Sequence, residues 1–295
     1  MRTRRLGRTG LQVSEMGLGG AWLLGRHSDL PREAGMATVR RALALGITYV
    51  DTAECYIGGH SETVVGAALA GRDDACLVAT KCGHLPPDFD FSRAAAVASA
   101  EASLRRLGRD SVDLFQLHTP PEPPMERIFG PGGALDGMRE LRERGQCRYL
   151  GITGRDVEFL RRCLDTDAFD TMLVFQRYDL LDQSAAPLLA EARAQDVGVI
   201  LGSPLKMGLF GSARDEMLPQ LGQEERRRVA ALEALFAAEP GGITAGAIRF
   251  ALAPPEVSVV LSGAASPEEI DGAVAAAATP LPAALLQAVQ TISAT

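Results

Sequence analysis

The sequence predicts a single (β/α)8 barrel across residues 1–295, and three observations carry that expectation. Short β-rich apolar runs occur eight times, at MGLGG, GITYVDT, ACLVATK, SVDLFQLH, RYLGIT, TMLVFQ, VGVILGS and VSVVLSG. Helix-sized segments separate them, which is the alternation of parallel βαβ units. The chain of 295 residues exceeds the usual domain length, yet barrels of about 250 residues run as one unit, and no linker, low-complexity tract or longer repeat interrupts the alternation.

The elements follow in order. Ahead of the first barrel strand, TRRLGRTGLQVSEM reads as two short strands around Arg8-Thr9-Gly10, a β-hairpin placed to close the barrel floor. Leu30-Pro31 leads into a helix ending at Gly46. Ser61 is expected to cap the next helix, with Glu62 in its first turn, and Ser92 the one after. Ser266-Pro267 repeats the cap-plus-proline entry near the C-terminal end. Two connections exceed what a βα loop needs: HTPPEPPMERIFGPGG after the fourth strand, and the stretch from Pro204 to about Gln223 after the seventh. Both follow strand C-terminal ends, the face where barrel active sites sit, so both are expected to act as lids.

Composition narrows the function classes. Apolar residues at 46% and charged residues at 23% are the balance of a globular protein. A net charge of -7 argues against a nucleic-acid partner, whose phosphates need Lys and Arg. The arginines at Arg2, Arg4 and Arg5 and at Arg226 to Arg228 read as solvated faces. No apolar stretch approaches the roughly 18 residues of a membrane span, and no h-region follows the basic N-terminus, so a cytoplasmic location without membrane contact is expected. Cys55, Cys76, Cys82, Cys147 and Cys163 show neither CxxC nor Cys/His metal spacing; reduced thiols and no metal site are expected, and the oligomeric state stays open.

Four polar residues stand at or just past consecutive strand ends: Asp51 after ITYV, Tyr56 in the turn beyond, Lys81 after CLVAT and His118 after DLFQL. In a parallel barrel these ends share one face. Hydride transfer to a carbonyl builds negative charge on its oxygen, which needs a proton donor and a hydrogen bond. Tyr56 and His118 can supply them. A Lys81 ammonium is expected to favour the phenolate and lower the tyrosine from its ordinary pKa of about 10, with Asp51 orienting the lysine. In oxidation the tyrosinate would be the base.

The segments GITYVDTAECYIGGHSETVVGAAL, VATK, SLRRLGRDSVDLFQLH, GITG, GSPLKMGLF and VVLSGAASPEEI resemble the aldo-keto reductase family in matching order, from about Leu6 to Ala277. That family's Asp, Tyr, Lys and His tetrad falls on Asp51, Tyr56, Lys81 and His118. The blocks ATKCGHLPPDFDFS, CRYLGITG and SPLKMGL look most like its sugar-oxidising branch, which includes L-galactose dehydrogenase and D-threo-aldose 1-dehydrogenase.

The glycines Gly17 to Gly20 lack the third glycine and the helix entry of a Rossmann turn. The resemblance implies instead an extended nicotinamide dinucleotide, NAD or NADP, across the C-terminal face. Carried over, Gly20, Ala21 and Asp51 lie beside it, Thr153 and Gln176 hold the carboxamide, Ser203, Pro204, Leu205 and Lys206 pass the pyrophosphate, and the loop with Gly263, Ser266 and Glu269 takes the adenosine. Four positions depart from the family's habits. Gly202 stands where a stacking aromatic is frequent, Gly154 where an Asn is, and Gly263 and Glu269 where NADP-preferring members carry Lys or Arg. Glu269 repels a 2'-phosphate and suits ribose hydroxyls, which favours NAD; a solvated first-turn residue is its plainer reading, and Lys206 or Arg226 to Arg228 are the cations that would reach a phosphate.

A sugar or small carbonyl substrate follows from the branch, with Trp22 and His84 as wall residues and a short C-terminal loop. An NADPH-dependent aldehyde or ketone reductase is the alternative, and a nucleotide-binding regulatory subunit the non-enzymatic one.

Overall fold

Period-two alternation along each apolar run fixes the architecture, because it sends one set of side chains into a barrel and the other toward the helices. The computed structural model describes residues 1–72, 76–83, 89–119 and 124–293. Strands β1 (Thr3–Arg5) and β2 (Gln12–Ser14) pair antiparallel, with Arg4 opposite Val13. Eight parallel strands follow: β3 (Met16–Gly19), β4 (Tyr49–Asp51), β5 (Leu77–Cys82), β6 (Val112–His118), β7 (Cys147–Gly154), β8 (Thr171–Phe175), β9 (Gly198–Gly202) and β10 (Val257–Ser262). They close in sequence order, β10 pairing β3. Between them run α1 (Arg32–Ala44), α2 (His60–Leu69), α3 (Arg93–Leu107), α4 (Met125–Phe129), α5 (Ala134–Glu143), α6 (Val157–Leu164), α7 (Ala186–Ala194), α8 (Arg214–Met217), α9 (Gln223–Phe236) and α10 (Gly242–Leu252). The last two helices, α11 (Pro267–Ala277) and α12 (Ala283–Ser293), follow β10. The eight expected strands are all present.

Parity divides the core in two. Tyr49, Leu77, Ala79, Leu114, Leu173, Ile200, Val259 and Leu261 pack together inside the barrel. Val50, Val78, Phe115, Leu117, Leu150, Ile152 and Met172 face the helix shell. The same parity turns Asp51, Lys81 and His118 inward, each two residues from an interior neighbour or from a residue of its set.

The hairpin closes the floor as expected: Leu6 and Val13 join the interior cluster. Leu6 lies over Gly198, where a β-carbon would come within 2.8 Å of its Cδ1. Of the N-terminal arginines, Arg2 and Arg5 are half exposed as expected and Arg4 is partly buried, but all three are paired. Arg4 donates to the carbonyls of Val257 (2.7 Å) and Leu252 (2.8 Å), Arg2 pairs with the buried Glu15 at 2.7 Å, and Arg5 pairs with Asp196 at 2.5 Å. Carbonyls left over at strand and helix ends need donors, and the guanidinium fork reaches several at once. At the other run, Arg227 pairs with Glu224 on its own helix and Arg228 donates to the Ser293 carbonyl.

The helix entries fit the expected caps at Ser92, which accepts from the Ala95 N–H, and at Ser266, which accepts from that of Glu269. Ser61 differs. A tight turn over Tyr56–Gly59 runs straight into α2 with Gly59 in the left-handed region at its N-cap, so Ser61 is already inside the helix. Its hydroxyl instead bonds the Gly20 carbonyl at 2.8 Å and the Thr52 hydroxyl at 2.8 Å. Glu62 is fully buried, accepting from Thr80 and from Arg106, both at 2.5 Å. Both residues thus fasten the turn that carries Tyr56.

Candidate active site

The C-terminal ends of the strands surround a cavity of about 610 Å3 that runs from Asp51, Tyr56 and His118 at the barrel axis to Glu269 and Gly272 at the rim. Asp51 and Lys81, both 1% exposed, form a buried ion pair between β4 and β5, and the ammonium also donates to the Thr52 carbonyl at 2.8 Å. The Lys81 nitrogen stands 4.7 Å from the centre of the Tyr56 ring. Tyr56 and His118 meet edge to face with centroids 6.4 Å apart, and Phe175 meets the other side of His118 at 6.1 Å. The four residues marked at successive strand ends are therefore one cluster.

Electrostatics in the cluster depart from the sequence expectation at one point. Burial pushes the Tyr56 phenol up to about 12, and the pull of Lys81 toward the phenolate does not overcome it. The expected net lowering is absent, so at neutral pH the hydroxyl is a protonated donor. For Lys81 burial acts downward, but Asp51 and the Tyr56 oxygen outweigh it and the net displacement is upward. The lysine is a fixed cation.

Two residues near the tetrad carry roles that the sequence alone does not mark. The Cys55 sulfur lies 3.6 Å from Nδ1 of His118, and burial pushes that thiol up to about 11, so it stays protonated. Either atom can donate in this contact; with the thiol as donor, Nε2 is the protonated nitrogen. Gln116, fully buried, donates from Nε2 to the second oxygen of Asp51 at 2.8 Å and accepts at Oε1 from the Thr153 hydroxyl at 2.9 Å. A signal for it does exist, since it stands two residues before His118 on the same strand face.

Gly202, Gly154 and Gly263 are each covered by a neighbour. A β-carbon on Gly202 would meet Phe175 Cβ at 3.1 Å; on Gly154, the Thr119 hydroxyl at 2.8 Å; on Gly263, the Trp22 indole at 2.8 Å. Side chains from adjacent strand ends occupy the space beside these positions. Gly151 works the same way inside the barrel, where a β-carbon would meet Thr171 Oγ1 at 2.6 Å and Gln116 Cγ at 2.9 Å. Gly151→Ala is expected to cost about 1–3 kcal/mol by overpacking, read as a lower urea midpoint at unchanged slope.

Of the remaining expected contacts, Ala21, Trp22, Thr153, Gln176, Ser203, Pro204, Leu205, Gly263 and Glu269 line the cavity. Gly20, Lys206 and Ser266 do not stand among the lining residues. Gly20 is buried against Ser61, Lys206 pairs with the buried Asp179 at 3.2 Å, and Ser266 caps α11. Glu269 faces the cavity with one oxygen accepting from the Ala265 N–H at 2.8 Å. His84 lies outside the described residues, as does the 120–123 part of the loop after His118. The described part of that loop carries α4, which is not among the lining residues, whereas the loop after β9 contributes Pro204, Leu205, Met207, Gly208, Gly211, Ser212 and Ala213. Arg26, unmarked in the sequence, ties the loop after β3 to it: the guanidinium lies 5.4 Å over Trp22, donates to the Met207 carbonyl at 2.7 Å and pairs with Glu216 at 3.2 Å.

Several residues of strained backbone lie at the same face. Gln176 (φ 59°), Ser203 (59°), Lys206 (45°), Met207 (56°) and Ile57 (53°) are non-glycine residues in the left-handed region, a conformation kept where the surroundings dictate it and concentrated at functional sites. Lined by small residues at its strand ends and bearing amide and hydroxyl groups along its walls, the cavity has room and partners for an extended dinucleotide.

Comparisons with known proteins agree with this geometry. The family model described as "Aldo/keto reductase family" matches residues 15–294. The chain is 32% identical to L-galactose dehydrogenase of Arabidopsis thaliana over 280 residues, covering 92% of this chain and 87% of that one. It is 27% identical to D-threo-aldose 1-dehydrogenase of a Pseudomonas species over 307 residues, covering 94% and 93%. An aldo-keto reductase structure from Bacillus halodurans, in its holo form, superposes with a TM-score of 0.83 at 28% identity over 99% of this chain and 96% of that one. The chain belongs to the aldo/keto reductase family and is an NAD(P)-dependent oxidoreductase.

Proposed function

We propose that the chain oxidises a sugar-like alcohol or aldose with NAD as the preferred acceptor, Tyr56 moving the proton. The observation that carries the cofactor preference is the charge of the cavity wall. Among its described lining residues Arg26 is the single Lys or Arg, and its guanidinium is already engaged by Glu216 and the Met207 carbonyl. The carboxylate of Glu269 faces the rim, a poor neighbour for a 2'-phosphate and an acceptor for ribose hydroxyls. The sugar class rests on the likeness to two sugar dehydrogenases over more than nine-tenths of this chain. The five cysteines, all free thiols, accord with a reducing, cytoplasmic setting.

In this reading the dinucleotide, when bound, accepts or supplies the hydride. Thr153 and Gln176 hold its carboxamide, and the wall from Ser203 to Leu205 passes its pyrophosphate. His118 donates from Nε2 to the substrate oxygen and orients it. Tyr56 takes the alcohol proton in oxidation and returns it in reduction, with the Lys81 cation against its ring stabilising the phenolate form. Asp51 keeps Lys81 in place.

Initial rates of NAD and NADP reduction across aldoses, sugar alcohols and hydroxy acids test the proposal. The expected result is aldose oxidation with kcat/KM higher for NAD. A kcat/KM with NADP equal to or above that with NAD overturns the cofactor preference. Reduction of aldehydes or ketones without aldose oxidation overturns the substrate class.

A further inference from the structure

A continuous polar chain crosses the barrel interior beneath the cavity. The Thr153 hydroxyl, at the cavity wall, donates to Gln116 Oε1 at 2.9 Å; Gln116 Nε2 donates to Asp51 Oδ2 at 2.8 Å; Lys81 donates to Asp51 Oδ1 and stands against the Tyr56 ring. The amide orientation follows from its neighbours, because an ionised carboxylate only accepts and the nitrogen must face Asp51. Thr153, with its proton given to Gln116, presents lone pairs to the cavity.

The place for this glutamine is built by its surroundings. Lys81, Gln116 and Gly151 are direct register partners across β5, β6 and β7. A side chain at Gly151 would collide with Gln116 Cγ. Packing alone does not ask for an amide here: a methionine has similar volume, and a buried amide is tolerated only when its hydrogen bonds are made. Both of its bonds end on groups that reach the reacting centre.

We propose that Gln116 is a positioning residue that couples the cavity-facing hydroxyl of Thr153 to the Asp51–Lys81 pair behind Tyr56. This rests on the reading that Tyr56 transfers the proton. The Gln116 donor stabilises the Asp51 charge, and hydrogen bonds in series polarise one another in a low-dielectric interior. Without that donor, Asp51 draws harder on the Lys81 ammonium, which then does less for a phenolate at Tyr56. An amide N–H received by Thr153 from the cavity acts in the opposite sense, strengthening the chain when the cavity is filled.

The sharpest test is Gln116→Glu, compared with wild type and Gln116→Met across pH. While protonated, the introduced carboxyl keeps both bonds, one as acceptor from Thr153 and one as donor to Asp51. Ionised, it can no longer donate and sets a second carboxylate against Asp51, a pairing that raises its pKa above the ordinary carboxyl range. The ratio of Gln116→Glu to wild-type kcat for alcohol oxidation is expected to fall by roughly tenfold from acid to alkaline pH, the effect of about one pH unit at Tyr56. Gln116→Met is expected to show that loss at every pH. NADH binding, followed by quenching of Trp22, the chain's one tryptophan and a cavity residue, is expected to weaken with the same pH dependence in Gln116→Glu.

A pH-independent ratio for Gln116→Glu overturns the proposal, and so does a Gln116→Met that loses urea stability while keeping wild-type kcat and KM. If Gln116→Glu does not fold, Thr153→Val breaks the chain at its other end: an alkaline displacement of the wild-type oxidation profile supports the coupling, and an unmoved profile overturns it. Tyr56→Phe run alongside separates the two readings. Full activity there removes the proton-transfer reading, whereas an inactive Tyr56→Phe beside a flat Gln116→Glu ratio removes the coupling alone.

Discussion

Tyr56→Phe is expected to lower kcat by about 100- to 10,000-fold, the usual contribution of a positioned proton donor, while changing NADH affinity by less than about twofold. The substitution removes only the hydroxyl. The ring stays, and with it the Lys81 contact at 4.7 Å and the edge contact to His118, but the bond between the phenol oxygen and Lys81 goes, so folding stability is expected to fall by about 0.5–1.5 kcal/mol. Steady-state rates in both directions and Trp22 quenching measure the split. The pH dependence carries a second, signed expectation. With the phenol pushed up to about 12 by burial, it is protonated through the neutral range. Reduction, which needs the acid form, is then level with pH, and oxidation, which needs the phenolate, climbs toward alkaline pH by up to about tenfold per unit. The climb is expected to vanish in Tyr56→Phe. Retention of most wild-type activity in that variant would contradict the role given to Tyr56.

Much of this is legible in the sequence because a parallel barrel converts chain position directly into location. Once eight strands are recognised, any polar residue at a strand end has to lie on the one face, and parity decides whether it points in. That is why Asp51, Lys81 and His118 can be placed from sequence. Gln116 obeys the same parity yet does not stand out, since it sits one turn of the pleat below the rim and is polar without being titratable. Arg26 carries no such signal: its position follows from how the loop after β3 folds against the loop after β9, where it meets the Met207 carbonyl and Glu216, which no local pattern encodes. The glycines are visible as missing side chains, but not as room for side chains from a neighbouring strand. Ser61 is misleading because a Ser followed by Glu resembles a cap, whereas the tight turn at Gly59 has already started the helix. The sign at Tyr56 differs from expectation for an energetic reason: proximity of a cation can be read from sequence, but the competing cost of burial depends on packing that closes around the ring.

The largest effect on stability is expected at Lys81. Lys81→Met leaves the Asp51 carboxylate buried with Gln116 as its remaining side-chain donor, and removing one partner of a buried pair typically costs about 3–5 kcal/mol. Urea unfolding is expected to show that loss at neutral pH, together with a collapse of kcat at least as deep as in Tyr56→Phe. The sign of its pH dependence follows from the raised pKa of Lys81, set by Asp51 and Tyr56 against the downward influence of burial. Such a group contributes its full stability below its unfolded value, near about 10.4, and loses it only as pH rises through the higher folded value. The lysine's contribution to the stability gap between wild type and Lys81→Met is therefore expected to be constant through neutral pH and to be lost only in strong alkali. Pairing the substitution with Asp51→Leu discriminates structure from chemistry. Removing both charges relieves the uncompensated carboxylate, so the double variant is expected to regain most of the lost stability through a coupling of opposite sign to the single losses. Its activity is expected to stay as low as that of Lys81→Met alone. If instead activity returned with stability, the pair would be holding the barrel together rather than serving Tyr56, and the catalytic reading of this site would have to move to His118.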